Sequence, residues 1–362
     1  MRDTSLVKDR ALVKDRVSAP TLTLAAGPLR ARVERRPLLV GGLVVLLVVG
    51  IGTLALMLGD YPLSVGDVLR ALAGQGSDPM GAYFVRDVRL PRVVAAVLVG
   101  IALGASGAVL QTLSRNPLGS PDVIGLTTGA ATGALVQIIV LGGDSRAVVV
   151  GALLGGLGTA VVVYTLAWRG GVSGYRLVLV GIGVGATLAA VNALLVVRAS
   201  LVAAQTASQW LAGSLNAVLW PQVALLAVGL AVLLPVAAGS ARDLAMLAMP
   251  DDVCVAAGVP VQRTRRRLLL VSVALMSVAT AITGPVAFVA LAAPHVARRL
   301  GGTAGPALAT SALVGGLLVL VSDVLAQRLF APTQLAVGAV TGALGGVYLV
   351  VLLVIQARRS RV

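Results

Sequence analysis

The sequence contains few of the residues that build metal sites and enzyme active sites. One cysteine, Cys254, and one histidine, His295, occur among 362 residues. A lone cysteine excludes an intrachain disulfide and a cysteine metal cluster, and a lone histidine argues against a histidine metal site. We therefore expect no metal site, no cofactor and no enzymatic activity in this chain.

Lysine is absent from most of the chain, since the only lysines are Lys8 and Lys14. A phosphate-binding P-loop needs a lysine after its glycine-rich turn, where the ammonium group reaches the phosphates. This chain has no such lysine beyond residue 14. We therefore expect that it does not bind ATP through a P-loop, and that ATP hydrolysis occurs in a separate subunit.

Aromatic residues are also scarce, at 3% of the chain. The formal net charge of +15 would suit a nucleic-acid partner, but binding to single strands usually relies on aromatic side chains that stack on bases. The basic residues lie mainly between apolar runs, as they do in the cytoplasmic loops of membrane proteins. We expect no nucleic-acid partner.

Apolar residues are abundant. The chain is 58% hydrophobic and 12% charged, with a mean hydropathy of +0.98, whereas soluble domains are about 45–50% apolar and about 25% charged. The excess lies in runs that approach the roughly 20 residues needed to cross a bilayer. The sequence therefore predicts an all-α integral membrane protein. Nine runs are evident, near residues 38–58, 93–113, 122–141, 147–168, 175–198, 219–238, 268–293, 306–328 and 335–356.

The charges at the two ends of the chain require an even number of crossings. Residues 1–36 are rich in Lys and Arg, and the last residues include Arg358, Arg359 and Arg361. The positive-inside rule places both ends in the cytoplasm. Within the seventh run, Thr283-Gly284-Pro285 predicts a helix break. A chain reversal there divides residues 268–301 into two helices and gives about ten crossings in total.

The same reasoning divides the chain into segments. Residues 1–36, which repeat the sequence LVKDR, are interpreted as a basic, disordered cytoplasmic tail. Residues 37–357 form a single transmembrane domain whose longest cytoplasmic loop spans about 239–267, and residues 358–362 form a cytoplasmic C-terminus. Carboxylates are scarce within the apolar runs, where Asp323 is the main candidate. That scarcity argues against a transporter driven by an ion gradient.

Five stretches, taken in order, resemble the FecCD-type permeases, which import iron–siderophores, haem and vitamin B12. The resemblance covers roughly residues 58–355. The sequence departs from the family pattern at Gln327, where an arginine is usual, and at Gln334-Leu335-Ala336, where Glu-Leu-Pro is usual. The matching stretches are Arg89-Leu-Pro-Arg92, Asn116-Pro-Leu-Gly-Ser-Pro-Asp122, Trp210-Leu-Ala-Gly-Ser-Leu215, Gly284–Arg298 and Ser322–Gly342.

The resemblance implies the fold of the type II ABC importer permeases, with ten transmembrane helices, in the cell membrane. It also implies four kinds of partner: a second permease subunit, with a heterodimer favoured, two ATP-binding subunits, an extracytoplasmic siderophore-binding lipoprotein, and a ferric siderophore as substrate. A vitamin B12 or haem permease of the same family is the first alternative. An ion-gradient-driven secondary transporter is a further one.

The resemblance also suggests functional surfaces, each with a plainer interpretation. The outer arginines would dock the binding protein, or they interact with lipid phosphates. The apolar part of the long loop would contact the ATPase, or it is an ordinary loop. Residues before the fifth helix would form a cytoplasmic gate, or Tyr175 is an interfacial anchor. The docking residues are Arg86, Arg89, Arg92 and Arg328; the coupling residues are Asp251, Asp252, Ala256, Ala257, Gly258 and Val259; the gate residues are Ser173, Gly174 and Tyr175.

Overall fold

The computed structural model describes residues 21–26, 29–59, 61–75, 78–122, 124–169, 171, 173–216, 218–303 and 305–359. Two strands precede a series of helices. The strands are β1 (Thr21–Ala26) and β2 (Leu29–Glu34). The helices are α1 (Arg35–Met57), α2 (Val65–Ala73), α3 (Pro79–Tyr83), α4 (Leu90–Ser114), α5 (Leu126–Leu135), α6 (Ser145–Ala167), α7 (Gly174–Arg198), α8 (Leu201–Leu211), α9 (Trp220–Gly239), α10 (Ala241–Met246), α11 (Asp251–Ala256), α12 (Val261–Thr283), α13 (Val289–Gly301), α14 (Leu308–Arg328) and α15 (Val337–Arg359).

Two short π-helical stretches extend these helices. Phe84–Arg89 joins α3 to α4, so that a continuous helical segment runs from Pro79 to Ser114. Val136–Leu141 continues α5. Such π turns are uncommon within helices and often occur at functional sites. The first of them carries two of the arginines that the sequence suggested for docking.

The tail contains regular structure immediately before α1. Strands β1 and β2 pair antiparallel, with Leu22 opposite Val33 and Leu24 opposite Ala31. In β2 apolar residues alternate with charged ones, and in β1 Thr and Leu alternate over residues 21–24 before two alanines. This alternation is the period of a β-strand. Strands β1 and β2 therefore lie within residues 1–36, and the disorder expected of that tail stays a prediction. Residues 1–20 of the predicted tail lie outside the described residues.

The described residues contain ten helical segments that can act as crossings. Seven are long and apolar enough on their own: α1, the segment Pro79–Ser114, α6, α7, α9, α12 and α14. Two shorter apolar segments, Leu126–Leu141 and Val337–Val351, add two more. Helix α13, with 13 residues, is the tenth. An all-helical transmembrane architecture of about ten helices is therefore confirmed.

Contacts between helix ends define two opposite faces of the bundle. At the Arg115 face, Arg115 at the end of α4 and Arg265 near the start of α12 both contact the carboxylate of Asp251. At the Arg92 face, Arg92 near the start of α4 contacts Asp323 near the end of α14. Helices α12 and α14 therefore both run antiparallel to α4.

The chain reverses direction between α12 and α13. Helix α12 ends at Thr283, and Gly284 follows with φ 70° and ψ −171°, which takes the backbone out of the helix. Helix α13 then runs alongside the last turns of α4 towards the Arg115 face. Its Ala290 lies against Gly107, while the Arg298 side chain contacts Gln111. Because α13 begins at the depth of Gly107, it is much shorter than a full crossing.

Both ends of the transmembrane bundle lie at the same face. At the start of α1, Arg36 Nε donates to the carbonyl oxygen of Leu300 at 3.0 Å, which places that start beside the end of α13 at the Arg115 face. The last helix, α15, begins at the Arg92 face, where Gly338 N–H donates to Gly213 O at 3.1 Å. Its 23 residues then run back towards the Arg115 face.

Helix α4 is the centre of the bundle, and glycines allow its neighbours to approach closely. A Cβ atom at Gly100 would lie 2.2 Å from the carbonyl oxygen of Gly315 on α14, and one at Gly107 would lie 1.8 Å from that of Ala290 on α13. Between helices in lipid, such small residues permit tight van der Waals packing. Buried hydroxyls add to it, since Ser106 and Ser272 each donate to the other's carbonyl oxygen, at 2.8 and 2.9 Å.

Candidate functional site

A buried ion pair joins α4 to α14 at the Arg92 face. The Nε and Nη2 atoms of Arg92 donate to the Asp323 carboxylate at 2.9–3.1 Å. The two side chains are 15% and 1% exposed. Two parallel N–H···O bonds of this kind are the strongest geometry that arginine offers to a carboxylate. Arg92, which the sequence suggested for docking, is therefore engaged within the chain.

Two glutamines complete this cluster. Gln327 Nε2 donates to Asp323 Oδ2 at 2.8 Å, and Arg92 Nη1 donates to Gln334 Oε1 at 3.2 Å. Gln327 and Gln334 are the positions at which the sequence departs from the FecCD pattern. Both departures thus lie at a single ion pair, where neutral amides supply its remaining hydrogen bonds.

Arg89 holds the segment that follows α1. Its Nη1 donates to Leu56 O at 2.8 Å and its Nη2 to Tyr61 O at 2.6 Å. Its guanidinium carbon lies 5.8 Å from the centroid of the Phe84 ring, within cation–π range. Arg89, Tyr61 and Phe84 line, together with Arg92, a cavity of about 140 Å³ that opens at the Arg92 face.

Arg86 and Arg328 are the less constrained members of the predicted docking set. Arg86 Nη2 donates to Leu72 O at 3.2 Å, and its own carbonyl accepts a bond from Trp220 Nε1 at 3.0 Å. Neither arginine has a carboxylate partner within the described part of the chain. The Arg92 face therefore carries two arginines, Arg86 and Arg328, whose positive charge is not paired with a described carboxylate.

At the opposite face, the long loop folds into the two short helices α10 and α11. Arg115 reaches it from the end of α4: its Nε donates to Leu247 O at 3.1 Å, and its Nη2 contacts Met249 O and Asp251. Arg265 from α12 donates to the same carboxylate at 3.1 Å. Burial favours a higher pKa for Asp251, but the hydrogen bonds from Arg265 and Arg115 outweigh it, so that the pKa lies below its ordinary value.

The predicted coupling residues therefore divide into an anchor and an exposed surface. Asp251 fixes α11 to the bundle. Asp252, Ala256, Ala257 and Gly258 are exposed, Val259 is half-buried, and neighbouring Val255 is 64% exposed. Gly258 ends the turn after α11 with φ 78°, a conformation that favours glycine. Small, apolar and solvent-exposed residues at the end of a short helix form a surface that another protein can cover.

The predicted gate residues lie at the start of α7. Ser173 caps the helix by accepting a bond from the backbone N–H of Arg176 at 3.4 Å. Gly174 packs against the end of α4, where a Cβ atom would lie 2.7 Å from the Cα of Ser114. Tyr175 is 76% exposed and has no ring contact within the described residues. The gate segment is thus held firmly, with one aromatic ring projecting from it.

The structure brings together residues that the sequence did not connect. Gln111, which is 4% exposed, donates to Leu291 O at 3.0 Å and accepts from Arg298 Nη2 at 2.6 Å. His295 Nε2 lies 2.8 Å from Pro117 O, which makes the lone histidine a structural residue. The sequence does give one indication of these contacts: Gln111 is a polar residue inside an apolar run, where a side chain of this kind needs hydrogen-bond partners.

Comparison with known proteins agrees with this architecture. A model of the FecCD transport family matches residues 45–355. The chain belongs to this family.

Similar FecCD proteins include permeases named for iron chelates. The chain is 46% identical over 328 residues to the ferric enterobactin transport system permease protein FepG of Escherichia coli (strain K12), covering 91% of this chain and 99% of that one. It is 41% identical over 319 residues to the achromobactin transport system permease protein CbrC of Dickeya dadantii (strain 3937), covering 87% and 90%.

A solved structure has the same fold. It is an inward-facing conformation of a metal-chelate type ABC transporter, which matches with a TM-score of 0.79 and 28% identity, covering 88% of this chain and 99% of that one. This FecCD chain is therefore a multi-pass membrane permease subunit of the ABC type and not an enzyme, and the ATPase is a separate subunit. Family membership argues against the ion-gradient-driven alternative.

Proposed function

We propose that the chain is a permease subunit of an ATP-driven importer that carries ferric siderophores into the cytoplasm. The observation that carries this proposal is the 46% identity to a ferric enterobactin permease over nearly the full length of both chains. A haem permease is the second candidate, because the hemin transport system permease protein HmuU of Yersinia pestis is 33% identical over 344 residues. The greater identity favours the siderophore.

The Arg115 face is the cytoplasmic face in this proposal. Both ends of the transmembrane bundle lie there, and the sequence flanking those ends is basic, as the positive-inside rule requires. The long loop with α10 and α11 is then cytoplasmic, where an ATPase can reach it. The exposed surface from Val255 to Gly258 is its contact site, and Asp251 holds that surface against α4 and α12.

The Arg92 face is then extracytoplasmic, and we assign binding-protein docking to its arginines. Arg86 and Arg328 are the members best placed to meet acidic residues of a partner, because Arg92 already pairs with Asp323 and Arg89 is held by backbone carbonyls. Charges at the rim of an interface chiefly raise the association rate, in a salt-dependent manner.

The docking assignment is tested by charge reversal. We expect Arg86→Glu together with Arg328→Glu to slow association of the binding protein about tenfold at low salt. Arg198→Glu is the matched control, since Arg198 is an exposed arginine at the Arg92-face end of α7. Unchanged association kinetics in the double variant would leave lipid interaction as the function of these arginines.

The gate is proposed to form between two permease subunits. Tyr175 projects from the Arg115 face at the start of α7, and a second permease subunit, most simply a paralogue, would supply the opposite side of the passage. Two ATP-binding subunits and an extracytoplasmic lipoprotein complete the assembly. No side chain of this chain needs to bind iron, because the siderophore already encloses the metal.

An uptake experiment distinguishes the two candidate substrates. Cells that lack the chain are compared with complemented cells for accumulation of iron-labelled siderophore complexes and of haem. We expect complementation to restore uptake of a ferric siderophore, and excess unlabelled haem not to compete. Restoration of haem uptake alone would replace the siderophore with haem as the substrate.

A further inference from the structure

A cavity of about 280 Å³ opens at the Arg115 face beside the long loop. Its walls are the end of α4, the last turns of α13, the segment before α14 and, from the loop itself, Ala248. Two arginines line it, Arg115 and Arg298. It is separate from the exposed surface at Val255–Gly258, since none of those residues lines it.

Among the described residues, Arg298 is the cation in this cavity that has no carboxylate within salt-bridge distance. It is half-buried, and the only hydrogen bond that its side chain makes to the described part of the chain is to the neutral amide oxygen of Gln111. That amide is itself fixed, because its nitrogen donates to Leu291 O. A guanidinium carries five N–H donors, so most of the donors of Arg298 are left for a ligand. Partial burial of a cation without an anion is costly unless a partner arrives.

Arg115 adds a second, conformational observation. Its backbone has φ 49°, in the left-handed region that glycine usually occupies at a helix end. An arginine held there is strained, and such strain is concentrated at functional sites. The conformation directs its guanidinium to the long loop and to the rim of the cavity. Asp251, its carboxylate partner, is shared with Arg265, so one anion serves two cations.

The position of the cavity favours a protein partner. Its walls are formed by α4 and α13, which are largely buried in the bundle, while the lipid-facing α1 packs on the other side of α13. One wall belongs to the same loop as the proposed ATPase contact. An acidic side chain that enters from the cytoplasm would pass Arg115 at the rim and then reach Arg298, which lies beside Gln111 one turn further into the bundle.

We propose that this cavity receives a carboxylate side chain of the ATPase subunit, with Arg298 as its main ligand and Gln111 as the residue that positions Arg298. This inference rests on the proposed function, because it assumes an ATPase at the Arg115 face. The site is a second anchor beside the α11 surface. It locks the ATPase to α4 and α13, the helices at the centre of the bundle.

The test uses the complete transporter, purified with its own ATPase subunits. We expect Arg298→Gln to raise the rate of ATPase dissociation at least about tenfold, as loss of a buried charge partner does. The wild-type dissociation rate should rise with salt, and that of the variant should respond less. Arg298→Lys, which keeps the charge without the planar fork, should fall between them. Arg299→Gln, at the adjacent exposed arginine, should match the wild type.

Three outcomes would overturn the inference. The first is an Arg298→Gln complex with the wild-type dissociation rate and salt dependence. The second is an Arg298→Gln permease that, measured without its ATPase subunits, is less thermally stable than the wild-type permease, which would make Arg298 only structural. The third is an anionic phospholipid retained by the purified permease and lost specifically in Arg298→Gln, which would assign the cavity to a lipid headgroup. If wild-type transport itself proved independent of ATP, the proposed function would fail first.

Discussion

The Arg92–Asp323 pair allows the energetic role of a buried charge to be tested within one chain. Asp323→Asn removes the anion but retains an oxygen that accepts a bond from Gln327. Arg92 then remains as a cation that is 15% exposed and has neutral acceptors, the retained amide oxygen and Gln334, but no carboxylate among the described residues. Breaking a buried pair in this way costs about 3–5 kcal/mol. We expect Asp323→Asn and Arg92→Met each to lower the free energy of unfolding by that amount.

The chain contains a matched surface pair. Arg70 and Asp67 lie 2.8 Å apart on α2, with side chains 57% and 44% exposed. Exposed pairs of this kind contribute about 0–1 kcal/mol. Arg70→Met should therefore change the free energy of unfolding by less than about 1 kcal/mol, which isolates burial as the cause of the difference.

The assay is reversible unfolding in mixed detergent micelles, followed for the single variants and for the double variant Arg92→Met with Asp323→Asn. The double variant leaves no unpaired charge, so it should be more stable than the sum of the two single losses implies. Two results would refute the reasoning: a cost for Arg92→Met no greater than that for Arg70→Met, or losses that simply add.

Further predictions concern coupling, topology and the gate. Ala257→Arg should lower the transport rate and weaken ATPase binding, and wild-type uptake in this variant would refute the contact. Gly258→Arg adds backbone strain at φ 78° and should lower the transport rate further. In a cysteine-free background, Arg263→Cys and Arg299→Cys should both be labelled from the cytoplasm; labelling from opposite sides would remove the tenth crossing. Tyr175→Ala should raise dye leakage from proteoliposomes, and unchanged leakage would contradict a gate there.

The crossings could be predicted from sequence because hydropathy and charge bias act locally. Hydropathy alone did not find α13, since its 13 residues are too few for a full crossing and merge with α12. The even number of crossings required by the two basic ends, together with a helix break at Thr283-Gly284-Pro285, predicted this additional helix. Its depth was not predictable, because it depends on how closely Ala290 approaches Gly107 on another helix.

Partners that are distant in sequence were beyond prediction. Arg92 and Asp323 are separated by 231 positions, and neither residue's spacing indicates the other. From the sequence alone Arg92 had no evident partner, and its position near a helix end therefore indicated a surface residue for docking. Asp251 is a similar case: the sequence grouped it with the coupling residues, and the structure shows that Arg115 and Arg265 hold it against the bundle, while its part in coupling stays a prediction. Only tertiary structure separates an anchor from a contact surface.

The alternation in the tail was a local signal that net charge obscured. The Lys and Arg content of residues 1–36 suggested disorder, whereas a period of two runs through the six residues of β2 and the first four of β1. Among the described residues the sheet has two strands, and isolated two-stranded pairs are only marginally stable in water. Composition over a long window therefore does not indicate a short strand pair within it, and disorder of the tail stays a prediction.

The central claim is tested most directly by transport in proteoliposomes that contain the chain with its second permease and ATPase subunits. The loaded binding protein is supplied outside, ATP is supplied inside, and accumulation of an iron-labelled siderophore is measured. The account predicts accumulation that requires both ATP and the binding protein, and none when an ion gradient replaces ATP. Accumulation driven by an ion gradient without ATP, or ATP hydrolysis with no accumulation of any ferric siderophore, would contradict it.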